Sequence, residues 1–256
     1  MARRISVAAA VNNHEILESC LARSPDIVST RCSLAIHEGY PSAAAALNSA
    51  IDGSSADVVV LVHQDVYLPK GWIDRVQQHI TGIEEQDPSW AVLGVIGLDL
   101  RGVLTGRIWS SGLNKELSNI DRQFEEAISI DECVIVVRRA AGVRFDEQLP
   151  SWHLYATDII LEARKRGLKA FVIDAPVIHN SRRTPTLLGG YAKAYKYMRK
   201  KWWDLLPVPT LVAPITHSPF PLLRSQMRRL KIRLLRPKDQ PVLDPVTIAR
   251  ELAYEQ

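Results

Sequence analysis

Only three cysteines occur in the 256 residues, Cys20, Cys32 and Cys133, scattered without metal-ligand spacing and odd in number. This excludes a disulfide framework and a cysteine-built zinc site, and it leaves reduced thiols. No apolar run approaches the roughly 20 residues that span a bilayer. The amino terminus passes from Arg3 and Arg4 straight into a strand-like run with no cleavage-site pattern, so a secretory signal is not expected and the chain reads as cytoplasmic. After that first run stand Asn12, Asn13 and His14 rather than a G-x-G-x-x-G fingerprint, which disfavours a classical dinucleotide-binding domain. Acidic residues are missing from 224–238, where Arg and Lys alternate with Leu, Ile and Met.

What is present is ordinary globular usage, 46% hydrophobic and 23% charged, in a chain long enough for one large domain or a domain with an appendage. The net charge of +4 is concentrated toward the carboxyl end, beyond a connector rich in proline (Pro207, Pro209, Pro214, Pro219, Pro221). Strand and helix patterns alternate before it. Residues 5–11 read as a strand, 14–23 as a helix, and 27–36 as a segment holding a second strand at 34–36. An Ala-rich helix follows at 42–51, with Ser42 a potential cap, and then a strand at Val58–Val62. This βαβαβ order predicts a parallel sheet with right-handed crossovers. Further strands are expected at 90–98, 132–138 and 170–173, and further helices at 72–83 and 159–166, the latter stopped by Gly167.

The run Val58–Val62 is β-branched or Leu throughout, the pattern of a strand covered on both faces, and it ends abruptly in His63, Gln64 and Asp65. In open α/β sheets ligands bind beyond the carboxyl ends of strands, so this placement reads as a site. Pro69 and Gly71 close the turn. A second constellation runs from Phe145-Asp146-Glu147 through Trp152, His153 and Tyr155 to Asp158, which falls in the first turn of a helix, where the macrodipole favours a carboxylate. A third follows the last strand at His179-Asn180-Ser181.

In that order and spacing the three constellations resemble the family 2 nucleotide-sugar glycosyltransferases of GT-A fold, and within them the streptomycin-biosynthesis-type domains that carry His-Gln-Asp at this strand end. The resemblance covers about residues 5–185. It implies an α/β, Rossmann-like, mostly parallel mixed sheet flanked by helices, with a basic helical carboxyl-terminal extension over 186–256. It also implies a nucleoside-diphosphate sugar donor, a divalent cation (Mn²⁺ or Mg²⁺), a hydroxyl-bearing acceptor (a glycan, a lipid-linked or a small molecule) and inversion at the anomeric carbon. Asp65 matches the last acidic position of the family's Asp-x-Asp motif, with His63 in the first acidic position, a departure. His179 matches the histidine that joins the metal, and Asp158 the catalytic base, with Thr157 where a glutamate usually stands. Asn12, Glu15, Glu38 and Asn48, with His63, Gln64 and Asp131, are the residues expected near the donor, and His153 near the acceptor.

Each residue type also has a plainer use. Asp65 could cap a turn, His179 bond a loop backbone, Asp158 cap its helix, and Glu132 open an exposed strand. A binding or scaffold protein on a degenerate GT-A frame is the rival class, because the first carboxylate of the metal motif is missing. Residues 105–114, with Gly106 and Gly112, suggest a flexible acceptor wall. The basic segment has no aromatic-interleaved groove for nucleic acid. It places Met227, Leu230 and Leu234 at helical spacing among cations. That stripe fits an anionic membrane surface, at the inner face, or burial against the protein itself.

Overall fold

The computed structural model describes residues 3–181, 186–235 and 243–255. In chain order the elements are β1 (Ile5–Ala10), α1 (His14–Ser19), α2 (Pro25–Val28), β2 (Leu34–His37), α3 (Ala43–Gly53), β3 (Val58–Val62), β4 (Val66–Tyr67) and α4 (Trp72–Gln86). Then come β5 (Trp90–Gly94), β6 (Ile96–Asp99), β7 (Leu104–Ser110), β8 (Lys115–Asn119), β9 (Phe124–Ile130) and β10 (Val134–Arg138). The chain continues through α5 (Tyr155–Lys165), β11 (Lys169–Ile173), β12 (Val177–His179), α6 (Gly190–Lys201), α7 (Phe220–Leu235) and α8 (Pro245–Glu251).

The strands form one curled sheet in the order β2-β1-β3-β10-β5-β11-β9-β6-β7-β12-β4, with β8 beside β7. β1 pairs in parallel with β2 and β3, as the βαβαβ pattern predicts. The sheet as a whole is less parallel than expected. Beyond those two ladders only β5–β11 and β7–β12 are parallel, and the antiparallel ladders of β10, β9, β6, β8 and β4 outnumber them. The reason is local: β6, β7, β8 and β9 are joined by short turns, and antiparallel neighbours need no crossover.

Val58, Val60 and Val62 pack on one face of the sheet with Trp72, Val76 and Ile80 of α4, while Val59 and Leu61 pack on the other with helices α3 and α5. The β3 run is therefore apolar throughout because both its faces are covered. Ser42 caps α3 by accepting from Ala45 N at 3.3 Å. The first helix is shorter than expected, ending at Ser19 before a 3₁₀ turn at Leu21–Arg23.

The strand expected over 90–98 is two strands broken at Val95, β5 serving one half of the sheet and β6 the other. Residues 105–114 are not a loop wall. They form most of β7, held by β6, β8 and β12, and its turn into β8. At this bend Gly106 has φ +106°, and a Cβ there would lie 2.3 Å from the Val95 carbonyl oxygen. Only glycine fits so close a backbone approach at that φ.

The carboxyl-terminal third does not stand apart from the sheet. Tyr191, Tyr195, Met198 and Trp202, with Val208 and Ile215, belong to the same apolar core as α3 and α5. Ile248, Ala249 and Tyr254 cover Tyr67 and Ile178 at the far sheet edge. The three cysteines are free and buried.

Gly106→Ala is expected to destabilise the fold by roughly 2–4 kcal/mol, combining left-handed strain with overpacking. Urea denaturation checks it: a midpoint unchanged from the parent would show that the bend can relax around a methyl group.

Candidate active site

A cleft of about 500 Å³ opens at the carboxyl ends of β1, β2 and β3. Its walls include Asn12, Tyr40, His63, Asp65, Glu132 and Tyr155. Leaving the sheet, the β3 chain turns sharply: His63 N donates to Cys133 O at 2.9 Å, and Val66 N to His63 O at 3.1 Å. Gln64 ties this turn to the end of β1, its Oε1 accepting from Asn12 N (3.0 Å) and Asn13 N (3.1 Å) while its Nε2 donates to Asn12 Oδ1 at 2.6 Å. The backbone of Asp65 accepts from Asn180 N at 2.8 Å, which fixes the β12 end against the β3 end.

That pairing brings His63, Asp65 and His179 together, with one ligand atom from each within 4.8 Å of the others. His179 Nε2 lies 3.4 Å from Asp65 Oδ1. Burial alone would raise the Asp65 carboxyl, but the His179 imidazole, through charge and hydrogen bond, and His63 outweigh it and hold it at about 2. Burial likewise acts to lower His179, and Asp65 reverses the direction. Burial pushes His63 down, which favours the neutral imidazole that ligation requires. The His63 Nε2 shares a 2.7 Å hydrogen bond with the Tyr155 hydroxyl. Two imidazoles and one ionised carboxylate, converging from two strand ends, are a donor set that fits a divalent cation of intermediate hardness. A hydrogen bond to a ligand imidazole is the kind of support such sites use.

Asp158 is placed elsewhere. It is 1% exposed and does not line the cleft. Its Oδ1 accepts from Trp202 Nε1 at 2.7 Å and its Oδ2 from Lys201 Nζ at 2.9 Å. Lys201 also reaches Asp146 at 2.7 Å and Glu162 at 3.0 Å. Burial acts against the Lys201 charge, but these carboxylates hold its pKa well above the ordinary value. Burial also lifts the Asp158 carboxyl above its ordinary range, against Lys201 and Trp202. Asp158 is thus enclosed with Lys201 and Trp202 as a buried latch between α5 and α6, apart from the cleft lining.

The carboxylate that does face the cleft from this side is Glu132, which accepts from Tyr155 N at 3.1 Å. Burial, reinforced by Asp131, raises its pKa well above the ordinary value despite the amides of Leu154 and Tyr155. Those amides are presented by a strained turn: Ser151 and Leu154 have φ of +75° and +65°.

Among the other expected residues, Asn12 and Gln64 line the cleft. Asp131 lies beside His179 and Cys133, its Oδ1 accepting from Cys133 N at 2.9 Å. Glu15 and Glu38 are exposed outside the cleft wall, Glu38 in an ion pair with His14 at 2.7 Å. Asn48 faces away, bonding Phe145 O at 2.9 Å and Phe145 N at 3.0 Å. His153 packs on Tyr191, ring centroids 5.4 Å apart. The sequence reading gave no role to His37, Tyr40, Trp152 or Tyr155, which line the cleft. His37 and Tyr40, at and just past the end of β2, and Trp152 and Tyr155, just before and at the start of α5, were the available aromatic signal.

A mixed sheet with a cleft at the carboxyl edge and an imidazole–carboxylate cluster beside it has its polar groups where α/β folds bind their ligands. Residues 6–202 match the family described as Glycosyltransferase like family, and the chain belongs to that family. The match stands at that level, not at that of the streptomycin-biosynthesis type. ATP synthase subunits region ORF 6 of Fuscovulum blasticum is 30% identical over 131 residues, 48% of this chain and 51% of that protein. The match thus spans about half the length of this curated relative. In fold the chain is similar to GalNAc-T7, solved with UDP, GalNAc and Mn²⁺, at a TM-score of 0.52 and 10% identity over 80% of this chain and 50% of that one. Its similarity to the mannosyltransferase PcManGT of Pyrobaculum calidifontis, solved with GDP-Man and Mn²⁺, has a TM-score of 0.49 and 12% identity over 99% and 80%. The GalNAc-T7 likeness shows the GT-A fold.

Lys201→Met should destabilise the protein by about 3–5 kcal/mol, because it strands a buried carboxylate. The sign of its pH dependence follows from Asp158. An acid whose folded pKa is raised loses stability as pH rises from its unfolded value through its folded one. Acidification from pH 7.5 toward 5 should therefore restore part of the loss in the variant. Chemical denaturation at both pH values measures this, and a deficit that deepens in acid would contradict the latch.

Proposed function

We propose that the chain is a metal-dependent glycosyltransferase that moves a sugar from a nucleoside diphosphate to a hydroxyl acceptor with inversion. The observation that carries the reading is the convergence of His179 on His63 and Asp65, two residues of the cleft wall. About 500 Å³ suits a ligand of nucleotide-sugar size. The base would lie toward Asn12, His37 and Tyr40, and the diphosphate toward Asp65. UDP in the similarly folded GalNAc-T7 is in keeping with this.

His63, Asp65 and His179 would hold the cation, and charge stabilisation on the departing diphosphate is the chemistry it supplies when bound. Two imidazoles beside one carboxylate favour Mn²⁺ over the harder Mg²⁺. We assign the proton acceptor to Glu132 in place of Asp158, since its carboxylate faces the cleft and burial, with Asp131 beside it, raises its proton affinity. The acceptor oxygen forms its bond to the anomeric carbon from the face opposite the leaving group, its proton passes to Glu132, and the electron pair of the breaking C–O bond leaves with the diphosphate. One displacement gives inversion. Three buried free thiols fit a reducing compartment, and a cytoplasmic location accords with them.

Thermal shift with UDP and GDP tests donor and metal together. A nucleoside diphosphate with Mn²⁺ should raise the melting temperature, and Mg²⁺ should serve less well. Asp65→Asn should keep the fold and weaken Mn²⁺-dependent nucleotide binding by more than about tenfold. Equal binding by the variant would overturn the metal assignment, and no nucleotide binding by the parent would favour a scaffold role.

Glu132→Gln should leave nucleotide affinity within a few-fold and lower turnover by roughly 10²–10⁴. Donor-sugar turnover at saturating donor measures it; an equally active variant returns the base assignment to another group.

A further inference from the structure

Helix α7 has two unlike faces. Toward the protein, Gln226 Oε1 accepts from Leu187 N at 2.6 Å, Ser225 Oγ donates to Val212 O at 3.1 Å, and Leu222 packs on the core. Away from it, Phe220 (63% exposed), Leu223 (56%), Met227 (63%) and Leu230 (45%) point to solvent. At roughly 100° per residue these four fall on one stripe, with Arg224, Arg228 and Lys231 on the strip beside it. All three cations are exposed. A helix normally buries its apolar stripe on its own protein; here the docked face is the more polar one. The side chain of Leu234, expected on the stripe, and residues 236–238 of the basic run lie outside the described residues.

The docked face of α7 leads toward the cleft through a short chain of neighbours. Arg229 of the docked face sits within electrostatic reach of Tyr191 and His153. His153 follows Trp152, which lines the cleft mouth. Among the described residues no helix is long and apolar enough to cross a membrane.

We propose that α7 lies in the surface of an anionic lipid bilayer, with Phe220, Leu223, Met227 and Leu230 in the acyl boundary and Arg224, Arg228 and Lys231 on the headgroups. Charge complementarity selects this occupant. Residues 205–238 contain no acidic side chain, so a second copy of the helix would face cation with cation, whereas an anionic leaflet answers both the stripe and its rim. If the transferase reading above also holds, this orientation presents the cleft mouth to an acceptor carried on a lipid.

Vesicle flotation of the full chain tests the surface without reference to nucleotide. Vesicles of phosphatidylcholine mixed with phosphatidylglycerol should carry the protein upward at low salt, high salt should release it, and phosphatidylcholine alone should not bind it. The double variant Leu223→Glu, Met227→Glu should bind the anionic vesicles at least about tenfold more weakly. It should also keep the parent's melting temperature and its thermal response to nucleoside diphosphate. Absence of parental binding, or undiminished binding by the double variant, overturns the proposal. So does a parental dimer, seen by light scattering, that the double variant dissolves without any vesicle binding. Because nucleotide response is read separately, loss of the membrane role and loss of the transferase role give different results.

Discussion

A strand covered on both faces cannot carry polar side chains until it leaves the sheet, and this constraint on β3 organises the rest of the molecule. Val58–Val62 contribute alternately to the two apolar cores, so the first polar groups are His63, Gln64 and Asp65 at the carboxyl end. Their placement is then set by what flanks β3. Parallel β1 brings Asn12 to Gln64, antiparallel β10 brings its own start and Glu132 to the same edge, and the Asn180–Asp65 backbone bond brings in His179. The site is thus a by-product of strand order, and its polar groups satisfy one another at an edge where water and ligand can reach.

A second polar cluster has the opposite character. Asp146, Asp158 and Glu162 close around Lys201 beneath α5, removed from the cleft. Buried ion pairs contribute little net stability compared with apolar residues of like size, yet breaking one is costly. Here the cluster fixes how α6 packs on α5. In turn α6 carries Tyr191, and Tyr191 packs on His153 beside the cleft mouth. The latch therefore bears on the site through packing alone.

Elements with strong, uniform patterns were legible in the sequence: β1, β3, α3, α4 and α5 stand within a few residues of where periodicity and caps put them. Strands β7, β8 and β9 were not, because they are half-exposed and mix polar with apolar residues, so no run stands out. The pairing of Asp65 with His179 was readable because the one stands just past buried β3 and the other ends β12. Asp158 was ambiguous in the sequence for a definite reason. A carboxylate in a helix's first turn suits a base or a cap equally, and the partner that decides its role, Lys201, lies 43 residues further on. Glu132, beside Asp131, looked like a solvated strand start, and only the arrival of α5 encloses it.

The environments of the cleft carboxylates differ in the way the two proposed tasks would require. Imidazoles on either side keep Asp65 ionised down to about pH 2, against the cost of its burial, which suits a group that must face a cation. Glu132 has no such counter-charge and lies next to Asp131, so burial drives it the other way. Two carboxyls of one cleft pushed apart in proton affinity are the arrangement that separates a charge holder from a proton carrier. The separation does not depend on a second acidic residue at position 63. An imidazole there takes part in holding Asp65 ionised, so the proposed division of labour does not require an Asp-x-Asp pattern.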